Sequence, residues 1–242
     1  MYTFNSRIRY SEVDSEGILT LESLIDYFQD CSTFQTQDGP ATMEYLRSLN
    51  LAWVLNSWQI EIKRYPKLCE EVVIGTLPYE LKGALGLRNF FMDTKDGERL
   101  AIANSVWTLF NFEKSIPARV TPVIVDAYPL GEKLEMNYGD RKIKVPETGQ
   151  IHSCEDIVVR RHNLDTNNHV NNGQYVRMAM DLVKDKAGKI TSMRAEYKRQ
   201  AHLGDILKPV VIENKTSDNS IYTVSLNNTD GQAVCVVELI VK

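Results

Sequence analysis

The chain of 242 residues is long enough for one large domain or two small ones, and with 43% hydrophobic and 25% charged residues it has the composition of a globular protein with a substantial core. A net charge of −4 gives no overall positive field that would favour nucleic acid, and no apolar run approaches the roughly 18 residues needed to span a bilayer. The N-terminal residues lack the apolar segment of a signal peptide, and the four cysteines show no CxxC spacing, so we expect a cytoplasmic protein with reduced thiols.

The chain begins with a strand-like alternation that leads into a helical pattern. Thr20 can cap a helix whose apolar positions recur at the helical period, and the Gly39-Pro40 pair predicts its end. A short helical piece from Ala41 to Asn50 follows, and after it come four segments with strand character. These segments are WVLNSWQIEIKRY, EEVVIGTLPYEL, LGLRNFFMD and RLAIANSVWTLFNF.

Residues 121–150 contain three prolines and many charges, which is typical of a linker. Beyond them the same order of elements returns. Asn171 can cap a second helix, with Gln174 at the capping-box position, and Gly188 is predicted to end it. Four strand segments follow: ITSMRAEYKRQ, ILKPVVIEN, IYTVSLNN and QAVCVVELIVK.

The second part of the chain repeats the first. RIRYSEVDSEGILTLESLIDYFQD lies over VVRRHNLDTNNHVNNGQYVRMAMD at an offset of 151, so that Asp14 falls on Asp165. QIEIKRYPKLCEEVVI lies over RAEYKRQAHLGDILKP at an offset of 135, and DGERLAIA lies over DGQAVCVV at an offset of 134. Three matches in the same order indicate a duplicated α+β unit, in which one long helix accompanies a run of antiparallel strands. We predict an N-terminal unit over residues 1–120, a linker over 121–150 and a C-terminal unit over 151–242, with the two sheets fused side by side.

The asparagine-rich stretch DTNNHVNNGQY, Asp165 to Tyr175, precedes the second helix and is open to several interpretations. As pure structure, it is a turn that leads into the cap at Asn171. As a calcium loop it fails, because Val170 and Val176 stand where glycine and a bidentate glutamate are required. Zinc would need more histidine or cysteine ligands than the stretch offers, so we predict no metal and no other cofactor.

A catalytic role explains an alternation that the cap alone does not. If the residues before the cap are extended or tightly turned, the side chains of Asp165, Asn167 and His169 share one face. That face lies at the amino end of a helix, where backbone N–H groups near Val170 and Asn171 are expected to stabilise an oxyanion. A carboxylate, an amide and an imidazole at such a place are sufficient for acyl-transfer hydrolysis. Because the stretch contains no serine or cysteine, the attacking group would be water or Asp165 itself.

LDTNNHVNNGQY resembles the second-half motif of the acyl-acyl-carrier-protein thioesterases, in which Asp-x-Asn-x-His precedes Val-Asn-Asn and a tyrosine. The segment AEYKRQ, the duplicated halves and the chain length extend the resemblance over nearly the whole sequence. The resemblance implies a double hotdog fold, in which each of two long helices is wrapped by an antiparallel sheet. It also implies hydrolysis of the thioester of acyl-acyl-carrier protein to free fatty acid and carrier thiol, with acyl-CoA hydrolysis or non-catalytic acyl binding as the alternatives.

Carried over residue by residue, the catalytic positions of the family fall on Asp165, Asn167 and His169. Where the plant members have Glu-Cys, this chain has Gln200-Ala201, so a Cys-His-Asn mechanism is not expected. Gln200 could orient a water molecule but cannot accept a proton. We therefore expect Asp165 either to activate water or to attack the thioester carbonyl.

The first copy lacks this chemistry, because Glu16 and Ile18 stand where the second copy has Asn167 and His169. One active site per chain is therefore predicted, and the first copy is expected to hold the acyl chain. The predicted pocket residues are Trp53, Trp58, Leu24 and Phe28.

An acyl carrier protein is acidic, so the surface on which it docks should be basic. One basic pair precedes the motif in the sequence, and another lies within AEYKRQ. The predicted docking residues are Arg160, Arg161, Lys198 and Arg199. We expect no nucleic-acid partner, no insertion into a membrane, and a monomer or homodimer.

Overall fold

The computed structural model describes residues 1–183 and 190–242, so Gly188, which was predicted to end the second helix, lies outside the described residues. The chain consists of two units. The first comprises Met1–Asn56 and Ile60–Tyr138, and the second comprises Ser57–Gln59 and Gly139–Lys242. Among the described residues, no helix combines the length and the apolar character needed to cross a bilayer.

The first unit contains a long helix, two short helices and an antiparallel sheet. In the sheet the strand order is β1-β3-β4-β5-β2, and β6 pairs with the end of β5. The helices are α1 (Leu21–Asp38), α2 (Met43–Ser48) and α3 (Pro122–Ala127), and the strands are β1 (Tyr2–Arg7), β2 (Leu51–Ile62), β3 (Glu71–Lys82), β4 (Leu85–Thr94), β5 (Arg99–Asn111) and β6 (Ile116–Pro117).

The long helix α1 forms where the sequence predicts it, because both ends carry the expected residues. The hydroxyl of Thr20 accepts a hydrogen bond from the N–H of Ser23 at 3.3 Å, and the helix ends directly before Gly39. Leu24 and Phe28, one turn apart, are buried on the face that the helix turns toward the core. The helix packs against β1 and β3, so its apolar stripe supplies the centre of the first unit.

The first part of the predicted linker belongs to the core of the first unit. Ile124 and Ala127 of α3 are buried, as is Tyr128 directly after the helix. These side chains form one apolar cluster with Leu46 of α2. The two units divide between residues 138 and 139, so the segment up to that point is packed structure and not a tether.

The second unit repeats the plan of the first. In its sheet the strand order is β9-β12-β11-β10-β7, and β8 pairs with the start of β10. Helix α4 (Asn172–Asp181) packs against β11 and β12. The strands are β7 (Gln150–His152), β8 (Ile157–Val158), β9 (Ile190–Tyr197), β10 (Ile206–Lys215), β11 (Ser220–Asn227) and β12 (Ala233–Val241). The predicted α+β class, with one long helix and one antiparallel sheet in each copy, is confirmed.

The loops that precede α1 and α4 share a set of backbone hydrogen bonds, which agrees with the predicted duplication. Three bonds of the first loop have counterparts in the second, and the lengths agree within 0.2 Å. In each pair the N–H donor is named first, and the bond of the first copy precedes that of the second. The bond from Asp14 to Ile18, at 2.9 Å, corresponds to that from Asp165 to His169, at 2.8 Å. Leu19 to Pro66, at 2.9 Å, corresponds to Val170 to Ala201, at 3.0 Å, and Thr20 to Glu12, at 3.0 Å, corresponds to Asn171 to Asn163, at 2.8 Å.

Candidate active site

The residues before α4 form a tight turn. Leu164 and Val170 pair as an antiparallel bridge, and the N–H of Asp165 donates to the C=O of His169 at 2.8 Å. The turn closes through Asn168, whose φ of 62° is a left-handed conformation that asparagine tolerates better than most residues. The turn thus carries the predicted Asp-x-Asn-x-His residues on a backbone fixed at both ends.

The carboxylate of Asp165 holds this turn together. Its Oδ1 accepts hydrogen bonds from the N–H groups of Asn167, at 2.8 Å, and His169, at 3.2 Å. Asp14 makes the same two bonds in the first copy, at 2.9 and 3.0 Å, where the other motif residues are absent. The aspartate therefore has a structural task in both copies. None of the described residues donates a hydrogen bond to Oδ2 of Asp165.

The N–H groups predicted to bind an oxyanion are already occupied. The side chain of Asn171 caps α4, as predicted, by accepting from the N–H of Gly173 at 2.8 Å. The N–H of Val170 donates to the C=O of Ala201 at 3.0 Å, and that of Asn171 donates to the C=O of Asn163 at 2.8 Å. The prediction that these two N–H groups form the oxyanion site is therefore wrong for this structure, because both are used to close the loop.

The first residue of α4 offers a free donor. The cap occupies the N–H of Gly173, and the N–H of Gln174 donates to the C=O of Asn171 at 3.0 Å. No described residue accepts the N–H of Asn172, so this is the first-turn donor that an oxyanion can use. The side chain of Gln174, predicted to complete a capping box, instead accepts from Nδ2 of Asn163 at 3.1 Å.

A second histidine, which the sequence analysis missed, lies against the motif. The rings of His169 and His202 contact each other edge to face, with centroids 4.8 Å apart and planes at 78°. His202 follows Gln200 by two positions, and the chain contains only four histidines, so its place beside a catalytic motif was a usable signal. Gln200 itself is exposed, and no described residue forms a hydrogen bond with its side chain.

Two tyrosines, Tyr175, which is buried, and Tyr197, which is half-buried, join the start of α4 to the end of β9. The hydroxyl of Tyr175 accepts from the N–H of Ala201 at 3.0 Å, and the hydroxyl of Tyr197 donates to the C=O of Asn172 at 3.0 Å. Burial of the hydroxyl groups raises the pKa of both Tyr175 and Tyr197. Both hydroxyls therefore stay protonated at neutral pH and act as fixed hydrogen-bonding groups.

Three of the four predicted pocket residues lie in the first unit. Leu24 and Phe28 are buried on α1, and Trp53 is half-buried against the cluster that contains Tyr128. The rings of Trp53 and Tyr128 meet edge to face with centroids 6.1 Å apart. Trp58 is 1% exposed and is grouped with the second unit.

The four predicted docking residues are all exposed but differ in their partners. Lys198 forms an ion pair with Glu196 at 2.8 Å, so part of its charge is compensated. Arg199 donates to a backbone carbonyl at 3.2 Å. Among the described residues, no carboxylate forms an ion pair with Arg160, Arg161 or Arg199, which leaves these three charges available.

Comparison with known proteins finds a family match in each half of the chain. The model of the acyl-ACP thioesterase N-terminal domain matches residues 1–128, and that of the acyl-ACP thioesterase C-terminal domain matches residues 147–240. The chain belongs to the acyl-ACP thioesterase family. The chloroplastic oleoyl-acyl carrier protein thioesterase of Coriandrum sativum is 26% identical over 96% of this chain and 67% of its own length. Oleoyl-acyl carrier protein thioesterase 2 of Arabidopsis thaliana is 28% identical over 93% of this chain and 65% of its own length. The chain thus spans about two thirds of the length of these curated relatives.

Solved structures of acyl-ACP thioesterases share the fold over the whole chain. The acyl-ACP thioesterase of Bacteroides thetaiotaomicron matches with a TM-score of 0.86 and 25% identity, over 99% of this chain and 97% of its own. The 12:0-ACP thioesterase of Umbellularia californica matches with a TM-score of 0.85 at 19% identity, over 100% of this chain and 93% of its own. The predicted family of thioester hydrolases and its double hotdog fold are confirmed.

Proposed function

We propose that this chain hydrolyses the thioester of acyl-acyl-carrier protein and releases the free fatty acid and the carrier thiol. Membership of the acyl-ACP thioesterase family supports the reaction class. The observation that supports this location of the active site is a difference between the two duplicated loops. Both share the backbone hydrogen bonds described above, but Asn167 and His169 occur only in the second.

In the proposed mechanism Asp165 acts as the base. Its Oδ2 takes a proton from a water molecule while the water oxygen forms a bond to the thioester carbonyl carbon. The carbonyl oxygen becomes an oxyanion, which accepts a hydrogen bond from the N–H of Asn172. When the adduct collapses, the C–S bond breaks and the sulfur leaves as a thiolate. A thiol has a pKa of about 8.5, so the leaving group needs no strong general acid and takes up its proton afterwards.

A nucleophilic route uses the same oxygen. Oδ2 of Asp165 attacks the carbonyl carbon, expels the thiolate and gives a mixed anhydride, which water then hydrolyses to the fatty acid and the restored carboxylate. In both routes Asn167 and His169 position the carbonyl and the water, because both sit on the turn that Asp165 fixes. Gln200, exposed and free of described partners, can hydrogen-bond to water but cannot remove its proton.

The first copy is proposed to hold the acyl chain. The basic residues of the second copy are proposed to bind the carrier protein. Leu24, Phe28 and Trp53 present a buried apolar environment around α1 and the cluster beside it. A chain of apolar methylenes gains about 0.8 kcal/mol for each buried group, so an apolar interior is the environment that retains it.

The test exploits the duplication. Asp165→Asn keeps an oxygen that can accept from the two N–H groups but removes the base and nucleophile, and Asp14→Asn makes the same change in the first copy. We expect Asp165→Asn to lower kcat by about 10²- to 10⁴-fold and Asp14→Asn to leave it unchanged, with both proteins folded. The measurement is thiol release from a long-chain acyl-acyl-carrier protein and from the matching acyl-CoA, side by side.

The outcomes test the role of Asp165, the substrate class and the hydrolytic activity separately. Near wild-type turnover by Asp165→Asn would remove Asp165 from the chemistry. Faster release from acyl-CoA than from the carrier substrate would change the substrate class. No release from either substrate by the wild-type protein would contradict hydrolysis itself.

A further inference from the structure

The imidazole of His169 has one aromatic neighbour on the segment after β9. The ring of His202 meets it edge to face, with centroids 4.8 Å apart and planes at 78°. Edge-to-face contact at this distance is a favourable arrangement for aromatic rings and restricts the angle of each ring relative to the other. The side chain of His202 is 58% exposed, whereas His169 is half-buried. The contact therefore joins a surface ring to a ring of the proposed site.

The backbone of His202 is itself held in place. Its N–H donates to Oδ2 of Asp205 at 2.8 Å, and its Nδ1 lies 3.8 Å from the same oxygen. The residue before it, Ala201, accepts from the N–H of Val170 at 3.0 Å. Hydrogen bonds on both sides thus fix the position of His202 relative to the turn that carries His169.

The first copy provides an internal comparison for the two histidines. Lys67 is the counterpart of His202, and its N–H donates to Oε2 of Glu70 at 2.9 Å, which reproduces the bond to Asp205. Ile18 is the counterpart of His169, and Ile18 and Lys67 are bridge partners in the first unit. Both copies therefore keep a carboxylate, Glu70 or Asp205, that accepts from the backbone N–H of the second position. The first copy forms this arrangement without an imidazole at either position. Only the copy with the proposed chemistry has a ring at both.

We infer that His202 is a positioning residue of the active site, which fixes the ring orientation of His169. The inference rests on the proposed function, because it assigns to His169 the placement of carbonyl and water. A carboxylate holds each histidine from its own segment: Asp165 accepts from the N–H of His169, and Asp205 accepts from the N–H of His202. A misplacement of about 1 Å in a group that positions substrate can lower the rate about a hundredfold. A residue that fixes the His169 ring can therefore have a measurable effect on kcat.

Three substitutions distinguish a ring support from other roles. His202→Phe keeps an aromatic ring, His202→Ala removes it, and His202→Lys installs the residue of the first copy. We expect kcat to fall by about 10- to 100-fold in His202→Ala and His202→Lys with KM unchanged, and by less than about threefold in His202→Phe. The control Lys67→Ala removes the counterpart side chain and leaves kcat unchanged.

A double-mutant cycle tests whether His202 acts through His169. In a His169→Ala background, His202→Ala should cause no further loss, because the ring that it supports is gone. Losses that multiply, wild-type kcat in His202→Ala, or equal losses in His202→Phe and His202→Ala would each overturn the inference.

A readout without substrate separates this inference from the proposed function. The chain has four histidines, so His169 can be assigned in a histidine side-chain NMR spectrum from single variants. The ring resonances of His169 should shift in His202→Ala and stay closer to wild type in His202→Phe. If the wild-type protein hydrolyses no thioester but these shifts appear, the proposed function fails and the ring contact stands. Unchanged His169 resonances in His202→Ala overturn the contact itself.

Discussion

At the scale of single residues, the proposed site depends on a turn that requires a left-handed backbone conformation at one position. Asn168 has a φ of 62°, and its counterpart Gly17 has a φ of 74°, so both copies need a residue that tolerates the left-handed region. In the second copy an asparagine fills this position at some steric cost. Two asparagines of the stretch thus have structural tasks: Asn168 forms the turn and Asn171 caps the helix. The C=O of Asn163, just before the stretch, accepts from the N–H of Asn171.

Substitution of Asn168 tests this assignment. Asn168→Gly should retain stability, because glycine occupies the same place in the first copy. Asn168→Val should cost about 1–2 kcal/mol, because a β-branched side chain is strained in the left-handed region. Urea unfolding measures both, and Thr166→Val on the same turn serves as the control, since Thr166 is exposed and has no positive φ. Equal stability of Asn168→Val and Thr166→Val would show that the turn does not depend on position 168.

The sequence was sufficient to identify the motif but not its hydrogen-bond partners. Asp165, Asn167 and His169 are recognisable because they alternate before a cap within seven residues. The error about the N–H of Val170 arose because its acceptor, Ala201, lies 31 positions later, where no local pattern marks it. His202 was missed although it lies two positions after Gln200, because its contact with His169 is made only when the segment after β9 folds back onto the turn.

At the scale of elements, helices with clear caps and strands with clear turns were predicted well. The segment around α3 was not, because prolines and charges are typical of linkers and outweighed the short apolar run PVIVDA. In the structure Pro122 stands at the start of α3, where a missing N–H costs nothing, and Ile124 and Ala127 face inward. A short helix of six residues leaves too little periodicity for a sequence-based prediction.

A buried arginine joins α1 to the sheet of the first unit. Nη1 of Arg88, on β4, donates to Oε1 of Gln35 on α1 at 2.7 Å and lies 3.4 Å from the hydroxyl of Thr76. Its guanidinium carbon lies 5.5 Å from the ring centroid of Tyr128. Burial lowers the pKa of Arg88 to about 10, so the group is still charged at neutral pH. No carboxylate among the described residues forms an ion pair with it, which makes Gln35 its principal acceptor.

Loss of that acceptor should therefore be costly. Gln35→Leu leaves a buried charge without its shortest hydrogen bond and should lower the free energy of unfolding by about 2–4 kcal/mol. Arg88→Met removes the charge together with its need for a partner and should cost less. In the double variant the loss should be smaller than the sum of the single losses, because Gln35 has no charge left to satisfy. Urea unfolding of the three variants provides the measurement, and additive losses would show that the two side chains are not coupled.

At the scale of the whole molecule, equivalent arginines form ion pairs with described carboxylates in the first copy but not in the second. Arg9, the counterpart of Arg160, pairs with Glu12 at 3.4 Å. Arg64, the counterpart of Arg199, pairs with Glu70 at 2.8 Å and with a second glutamate at 2.6 Å. The corresponding arginines of the second copy have no ion pair with a described carboxylate. In a chain with a net charge of −4, positive charge kept free of internal partners around one loop is suited to an acidic partner.

Neutralising the two arginines nearest the motif tests whether they receive the carrier. Arg160→Gln combined with Arg161→Gln should raise KM for acyl-acyl-carrier protein about tenfold at low salt and leave kcat unchanged, because steering acts on encounter and not on the chemical step. The dependence of KM on ionic strength should flatten at the same time, since fewer exposed charges remain to be screened. Arg9→Gln is the matched control, because its charge is already compensated by Glu12. A small thioester without the carrier should be hydrolysed equally by all variants, so an effect confined to the carrier substrate locates docking, whereas unchanged KM and salt dependence would place the carrier on another surface.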